Sequence, residues 1–381
     1  MAGIYVHIPF CKKRCTYCDF HFSTSFESYR KELIQAISCE LILRKNEISD
    51  KIQTIYFGGG TPSILSKSEL IQIIRTIKEN FLLTDNLEVT LEANPDDIND
   101  ENLILWKSQG VNRLSIGLQS FKESDLLWMN RSHLLEQAIA SVKNAQHHGF
   151  KNISVDLMYG LPNLSLEEWE QHLKNVVDLS ISHISAYCLT VEPKTALFQE
   201  VKKKRLISAS DVEQSLQFEL MIDVLSKNGF EQYEVSNFAK EENYARHNSN
   251  YWKGIPFIGV GPSAHSYNSN QRRWNVANNS LYYKNVSKNN TWFTKEQLSE
   301  VDQWNELILT GFRTKWGVSK EKIKGFGGFS EAEQKILSNY ANENMLLETD
   351  SAYLLSKKGL LFADAIAEKL FRLNQSKSLL L

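Results

Sequence analysis

Short runs of β-branched and aromatic residues alternate with longer stretches of helical periodicity over the first 230 residues of this chain. The runs predict strands over 3–7, 54–57, 88–93, 113–117, 152–157 and 183–190. Between them, apolar positions spaced three and four apart predict helices near 25–44, 67–80, 100–109, 135–148, 166–179 and 211–228. Several boundaries have a visible local cause. Asn99 or Asp100 can cap one helix, Ser165 with Glu168 forms a capping box, and Gly110 and Gly149 offer the left-handed residue that ends a helix.

Six strand–helix units in series predict an α/β fold with a parallel sheet and helices outside it. Right-handed crossovers curl such units into a partial (β/α)6 barrel, whose reactive groups collect at the C-terminal ends of the strands. The pattern changes after residue 230. Residues 231–300, rich in Asn, Tyr and Trp and carrying Gly254, Gly259 and Gly261, read as loops packed over the barrel mouth. Residues 301–381 return to helical periodicity with one strand-like run at 352–355, which predicts a smaller helical or winged-helix-like module.

Cys11, Cys15 and Cys18 follow the first predicted strand with the spacing C-x3-C-x2-C. Three thiolates on one short loop can hold three corners of a [4Fe-4S] cluster and leave the fourth iron open to a second molecule. The flanking Lys12, Lys13 and Arg14 argue against burial of these cysteines as core. A zinc site competes, because His21 completes a C-x3-C-x2-C-x2-H set. Cys39 and Cys188 stand alone, which does not resemble a disulfide framework and fits a reducing cytoplasm. Hydrophobic and charged contents of 42% and 23% are those of an ordinary globular protein, and a net charge of −2 gives no basic surplus for nucleic acid or anionic lipid. No apolar run approaches the about 20 residues that span a bilayer, and His7 and Pro9 interrupt the only apolar stretch at the N-terminus that a signal peptide would need.

Other notable residues fall at the same strand ends. Gly58, Gly59 and Gly60 would let backbone approach a ligand closely, and Thr61 adds a hydroxyl. Glu92 and Asp156 end apolar strands, where a buried carboxylate needs a cationic partner. Gln119 and Arg131 join them. Each has an ordinary reading as tight turn or solvated side chain; their convergence on one rim favours a ligand site. Farther along, His247-Asn248-Ser249-Asn250-Tyr251-Trp252 sets a histidine among aromatic rings. It reads either as a satisfied core residue or as a haem-iron ligand with rings to pack on a porphyrin. His265 is a second imidazole of that kind.

Together these segments resemble the coproporphyrinogen III dehydrogenase-like branch of the radical S-adenosylmethionine (SAM) superfamily, and within it the haem-chaperone members. The resemblance rests on Tyr5 to Cys11, the cysteine loop with Tyr17 before its third cysteine, Gly58 to Ser63, Leu91 to Pro95, Asn112 to Phe121, Asp156 to Pro162, Gln232-Tyr233-Glu234 and His247 to Trp252. It implies a [4Fe-4S] cluster on Cys11, Cys15 and Cys18, whose open iron is chelated by SAM and which cleaves SAM to a 5′-deoxyadenosyl radical. It implies a SAM site lined by Tyr5, Tyr17, Gly59, Gly60, Thr61, Glu92, Gln119, Arg131 and Asp156, with His247 in a signature associated with haem. Two departures separate the chain from the dehydrogenases: Phe20 stands where they carry a further cysteine, and the first strand begins almost at Met1, where they have an extension. The implied function is therefore a cytoplasmic protein that binds haem as cargo and delivers it to haemoproteins, membrane-bound ones included, with a homodimer left open. The alternative is an oxygen-independent coproporphyrinogen III oxidase, a radical decarboxylation in porphyrin biosynthesis.

Overall fold

The computed structural model describes residues 1–373; residues 374–381 of the predicted C-terminal module lie outside the described residues. The first half alternates as expected: β1 (Ala2–Ile8), α1 (Arg30–Leu43), β2 (Ile52–Gly59), α2 (Lys67–Asn80), β3 (Leu83–Ala93), α3 (Asp100–Gln109), β4 (Arg113–Gln119), α4 (Glu123–Trp128), α5 (Leu135–His147), β5 (Asn152–Tyr159), α6 (Leu166–Asp178), β6 (His183–Cys188), α7 (Ala196–Lys202) and α8 (Asp211–Lys227). Asn99 and Ser165 accept hydrogen bonds from the backbone N–H of Asn102 and Glu168, and Gly110 ends α3 at φ 97°. Several elements differ from expectation. A short 3-10 turn at Glu27–Tyr29 delays α1 to Arg30, β6 stops at Cys188 ahead of Pro193, and the short α4 carries too few residues to show a period.

Strands β1 to β6 lie side by side in chain order, each parallel to the next. Residues from β2 to β6 nevertheless line one cavity, so the sheet curves into a partial barrel. Its strands alternate strictly. Ile4, Val6, Ile55, Phe57, Leu91, Leu114, Ile116, Val155 and Ile184 point outward into the helix-covered core, each contributing roughly 1.5–3 kcal/mol when fully buried. The intervening Tyr5, His7, Tyr56, Glu92, Arg113, Ser115, Asp156 and Ser185 face inward, in register with one another across the ladder. The lumen is therefore polar, and that polarity is what the fold offers to chemistry.

Residues 231–300 correct the expectation of loops. They form β7 (Glu231–Glu234), β8 (Asn237–Ala239), α9 (Arg246–Lys253), β9 (Phe257–Val260), β10 (His265–Tyr267), β11 (Gln271–Asn275), α10 (Asn279–Ser287) and β12 (Phe293–Gln297). These strands extend both edges into one 12-stranded sheet, β12-β11-β10-β9-β1-β2-β3-β4-β5-β6-β8-β7. At three to five residues each, the strands are too short to display an alternation, and their polar outer residues mimic loop composition. Nor is this segment a separate layer: Ile258, Val260, Tyr282, Val286 and Trp292 belong to the core of the main sheet. Its anchor is Glu40, fully buried, which accepts from the backbone N–H of Gly261, the side-chain amide of Asn275, the Tyr282 hydroxyl and the Trp292 indole, and pairs with Arg44.

Beyond it lie α11 (Glu300–Phe312), β13 (Val318–Ser319), α12 (Lys320–Gly325), α13 (Glu331–Asn342), β14 (Leu346–Glu348), β15 (Ala352–Leu355), α14 (Lys357–Leu360) and α15 (Ala363–Glu368). The three strands pair antiparallel as β13-β15-β14, giving the helix-and-hairpin order of a winged helix. A second core, with Trp304, Ile308, Phe312, Leu337 and Ile366 among its members, holds this module together.

Candidate functional site: a cysteine loop over a polar lumen

The loop between β1 and α1 is pinned at its base and its tip. Cys11 N–H donates to the Ser23 carbonyl at 3.0 Å and Ser23 N–H to that of Pro9 at 2.8 Å, closing the base. At the tip, Thr16 N–H donates to the Met129 carbonyl at 3.2 Å, Asn130 Nδ2 to the Arg14 carbonyl at 2.8 Å, and Leu197 N–H to the Thr16 carbonyl at 2.9 Å. Lys12 pairs with Asp96 at 2.8 Å and with Asp97. All three cysteines are unpaired by disulfides and face one cavity of about 460 Å³ at the strand ends. Burial pushes the thiol of Cys11 up to about 12 and that of Cys18 up to about 11, so thiolates there need a cation to neutralise them. Thr61 Oγ1 donates to Cys11 Sγ at 3.5 Å and Arg131 Nη1 to Cys15 Sγ at 3.4 Å. The three sulfurs are free and border one cavity, the donor type a cluster held by three thiolates takes, and among the described residues they do not close on a single metal ion. His21 does not join them: its Nε2 shares a 2.7 Å hydrogen bond with Asn279 Oδ1, and its ring faces a different cavity. The four-ligand zinc set is therefore not assembled.

Opposite the cysteines stand the inward residues of the barrel. Glu92 accepts from Tyr56 OH at 2.8 Å and Gly59 N–H at 3.2 Å. Burial, reinforced by the Asp156 charge, pushes Glu92 up to about 7. Asp156 accepts from Ser115 Oγ at 3.1 Å and burial holds it near 6. Each carboxylate would be relieved by a cation in the cavity. Arg131 donates to Asn94 Oδ1 and the Gly117 carbonyl, both at 2.9 Å, and its buried Nε has no partner among the described residues. Gln119 ends β4 at φ 72°, a left-handed conformation unfavourable for a residue with a Cβ, and it follows an irregularity in the β4–β5 register. Tyr17 lines the same cavity, its phenol pushed well up by burial.

The glycines serve the protein's own packing before any ligand. A Cβ on Gly59 would lie 2.6 Å from the His7 ring, and one on Gly60 2.6 Å from the Phe10 carbonyl oxygen. Gly60 N–H donates to the Ile8 carbonyl at 2.9 Å and Thr61 N–H to that of Phe10 at 2.7 Å. The close approach is made first by the protein's own β1 and the start of the cysteine loop. The glycine run seats the loop on the sheet while its backbone still borders the cavity.

Two expected site residues lie elsewhere. Tyr5 does not line the strand-end cavity; its hydroxyl meets His7 Nδ1 at 3.1 Å and its ring stacks on Tyr56 and His247. His247 is buried on α9, which crosses the inward faces of β1 to β3. Its Nδ1 shares a 2.8 Å hydrogen bond with Thr54 Oγ1, its Nε2 a 2.7 Å bond with Tyr251 OH, and its ring stacks on Tyr56 at 5.1 Å. Burial lowers it to about 3, so it is neutral with both nitrogens engaged. As placed, it offers no lone pair to a haem iron, and the core reading of this histidine describes the geometry. Glu88 caps the same helix, accepting from the backbone N–H of Arg246 and His247 at 3.2 and 3.0 Å. Conversely, Arg113, Tyr56, Asn94, Ser115 and Asn248 were not anticipated. Arg113 is fully buried, with its Nε unpartnered among the described residues, and its charge acts on both Glu92 and Asp156. Its only signal was its parity with Ser115 along a strand.

A thiol triad on a loop after the first strand of a polar-lumened partial barrel defines the class. Residues 5–176 match the family model of the Radical SAM superfamily. The chain is 32% identical over 372 residues to the Heme chaperone HemW of Bacillus subtilis, covering 96% of this chain and 98% of that one. It is 31% identical over 374 residues to the Heme chaperone HemW of Haemophilus influenzae, covering 96% and 97%. The structure of coproporphyrinogen III oxidase (HemN) from Escherichia coli, described as a radical SAM enzyme, superposes with a TM-score of 0.84 at 22% identity, over 97% of this chain and 89% of that one, a likeness of fold. The chain belongs to the radical SAM superfamily. Within it, it belongs to the HemN/HemW branch, beside the heme chaperones HemW. Among the described residues, no helix is long and apolar enough to cross a membrane.

Proposed function

We propose that this protein is a haem chaperone that carries a [4Fe-4S] cluster, binds SAM and delivers haem to haemoproteins in the cytoplasm or at the membrane. The observation that carries the reading is the extent of the likeness: it runs through 96% of the chain, C-terminal module included, and through 98% of a heme chaperone. Cys11, Cys15 and Cys18 would hold the cluster, the raised thiols of Cys11 and Cys18 deprotonating as iron binds. When bound, a cluster held there would supply the electron for reductive chemistry on SAM. Glu92 and Asp156 would neutralise the cationic groups of SAM, and Arg131, already directed at Cys15, would orient its carboxylate. Tyr17, Gly59, Gly60, Thr61 and Gln119 would border it, while Tyr5 would act from behind by positioning Tyr56. Phe20, in place of the dehydrogenases' cysteine, supports cargo binding over substrate oxidation.

The test is anaerobic reconstitution followed by three measurements: iron and sulfide per chain, SAM binding, and transfer of haem to an apo-haemoprotein. Four irons with matching sulfide, saturable SAM binding and haem transfer are expected. Zinc without sulfide, or no transfer, overturns the proposal. The oxidase alternative predicts protoporphyrinogen IX from coproporphyrinogen III under reducing conditions with SAM; its absence is expected.

A further inference from the structure

The described residues contain a second, larger cavity, and it touches the first at a single exposed ring. It measures about 1070 Å³ against about 460 Å³ for the strand-end cavity, at the upper end of the roughly 300–1,000 Å³ of small-molecule sites. Its walls come from the start of the sheet, the edge strands β9 to β11, the C-terminal end of α9, and α11 and α12 of the C-terminal module. We propose that this cavity holds the haem cargo, with His265 as the iron ligand and His247 as a residue that positions its wall. The inference rests on the haem-cargo reading above and goes on to name where the cargo sits.

Three imidazoles face the cavity: His7, His21 and His265. His7 is committed through both ring nitrogens and His21 through one, so only His265 has both free. His7 is tied through Nδ1 to Tyr5 OH and through Nε2 to the His21 carbonyl, and His21 through Nε2 to Asn279. His265, on β10, is exposed, and its ring nitrogens make no hydrogen bond among the described residues. Partial burial and the Arg272 charge lower its pKa, so it presents a neutral imidazole with a free lone pair.

The rest of the lining suits a flat, largely apolar macrocycle with two carboxylates. Tyr251, Phe257 and Tyr267 form a run of ring-on-ring contacts at 4.6 and 6.5 Å along one side, a surface that can stack on a porphyrin face. Cations stand at the rim. Lys253 lies 4.1 Å from the Trp316 ring centre, Lys322 donates to the Lys253 carbonyl at 3.5 Å, and Arg272 is held by Glu306. Propionates could exchange with Glu306 or accept from the lysines. Phe20 lines both cavities and is 69% exposed, a large apolar ring mostly uncovered by the protein. A porphyrin in the second cavity would cover it and sit beside the cysteine loop.

The signature around His247 acquires a different meaning in this arrangement. Asn248 lines the strand-end cavity, Tyr251 and Trp252 line the larger one, and His247 between them is bonded to Thr54 and Tyr251. The motif is the partition between two compartments, and His247 fixes the Tyr251 wall without touching the cargo.

The experiment is an anaerobic haem titration of cluster-loaded protein, following the Soret band and the melting midpoint. Wild type is expected to bind saturably with a histidine-ligated spectrum. His265→Ala should weaken binding tenfold or more and lose that spectrum, and added imidazole should restore it. His247→Gln should keep the histidine-ligated spectrum and weaken binding only in step with its lost stability. Wild-type binding that is indifferent to His265→Ala overturns this site while leaving the cargo reading standing. Loss of the histidine-ligated spectrum in His247→Gln at an unchanged melting midpoint returns ligation to His247 and also overturns it. No saturable wild-type binding overturns the cargo reading and the site together.

Discussion

The strand-end cavity and the cavity beneath the C-terminal module share α9 as a wall but are made of different materials. The first is lined by side chains that alternate inward along parallel strands. It concentrates thiols, two carboxylates with raised pKa values and Arg131, whose Nε is unpartnered among the described residues. Such groups are costly to bury alone, and the site retains the cost because a charged ligand would complete them. The second is an aromatic hollow between separately built layers, with a spare imidazole and cations at its rim. It asks for shape and apolar contact before charge. One compartment is suited to chemistry and the other to holding a large planar molecule, and a helix of eight residues, Arg246–Lys253, is common to both.

That contrast can be broken by substitutions that should act on one compartment or on the wall the two share. Cys11→Ala should have the largest effect, with loss of the cluster and of SAM binding together; normal SAM affinity in a cluster-free variant would count against the assigned site. Haem titration of the same variant should remain saturable, because none of the three cysteines lines the larger cavity.

His247→Ala comes next, since the shared wall should fail on both sides. It would leave Thr54 Oγ1 and Tyr251 OH without their partner inside the core. A stability loss of about 2–4 kcal/mol is expected in denaturant titration, and a loss within about 0.5 kcal/mol would show that α9 does not depend on this residue.

Glu92→Gln sharpens the comparison on the chemical side. Removing one charge-assisted contact of about 1.5–3 kcal/mol should weaken SAM binding on the order of tenfold to a hundredfold by calorimetry, with haem affinity unchanged. The pH dependence follows from the same group. Glu92 is held near 7, above its ordinary value of 4.5, so it binds a cation less well as pH falls below 7. SAM affinity should rise with pH up to about 7 and then level off, by at most about tenfold per pH unit. The linkage to stability has the opposite sign. A raised folded pKa means that the ligand-free protein loses stability as pH climbs from about 4.5 to about 7. Glu92→Gln should therefore melt higher than wild type at pH 8 while binding SAM worse; a lower melting point would refute the assignment.

Phe20→Ala is the smallest and most selective change. An exposed ring contributes within about 0.5 kcal/mol to stability, yet haem affinity should fall a few-fold through lost contact. Unchanged haem affinity would place the cargo away from the junction.

Much of the first compartment was legible and little of the second. Cys11, Cys15 and Cys18 announce themselves by spacing, and Glu92, Gln119 and Asp156 by position at the end of an apolar run, because local periodicity determines which residue ends a strand. Arg113 and Tyr56 were missed for a related reason: parity along a strand says which residues share a face, but whether that face is core or lumen depends on the curvature of the whole sheet. Tyr5 and His247 were placed with the SAM and haem groups because each stands in a recognisable motif. A motif records residue types and not which nitrogen is already bonded. The edge strands β7 to β12 were hidden by their length and their polar outer residues.

The sequence by itself determined the order of strands and helices, the cap residues that start them, and the loop on which three thiols must fall close together. Those features depend on contacts a few residues apart, so chain order carries them. Only the tertiary structure decided that Gly59 and Gly60 make room for His7 and Phe10, that His247 is spent inside the protein, and that His265 remains free at a second cavity. Each of these depends on segments distant in the chain, such as Thr54 and His247, 193 residues apart, or Arg272 and Glu306 on different elements of the cavity rim. Packing of that kind is settled by which faces the curved sheet leaves to be covered, and no local pattern encodes it.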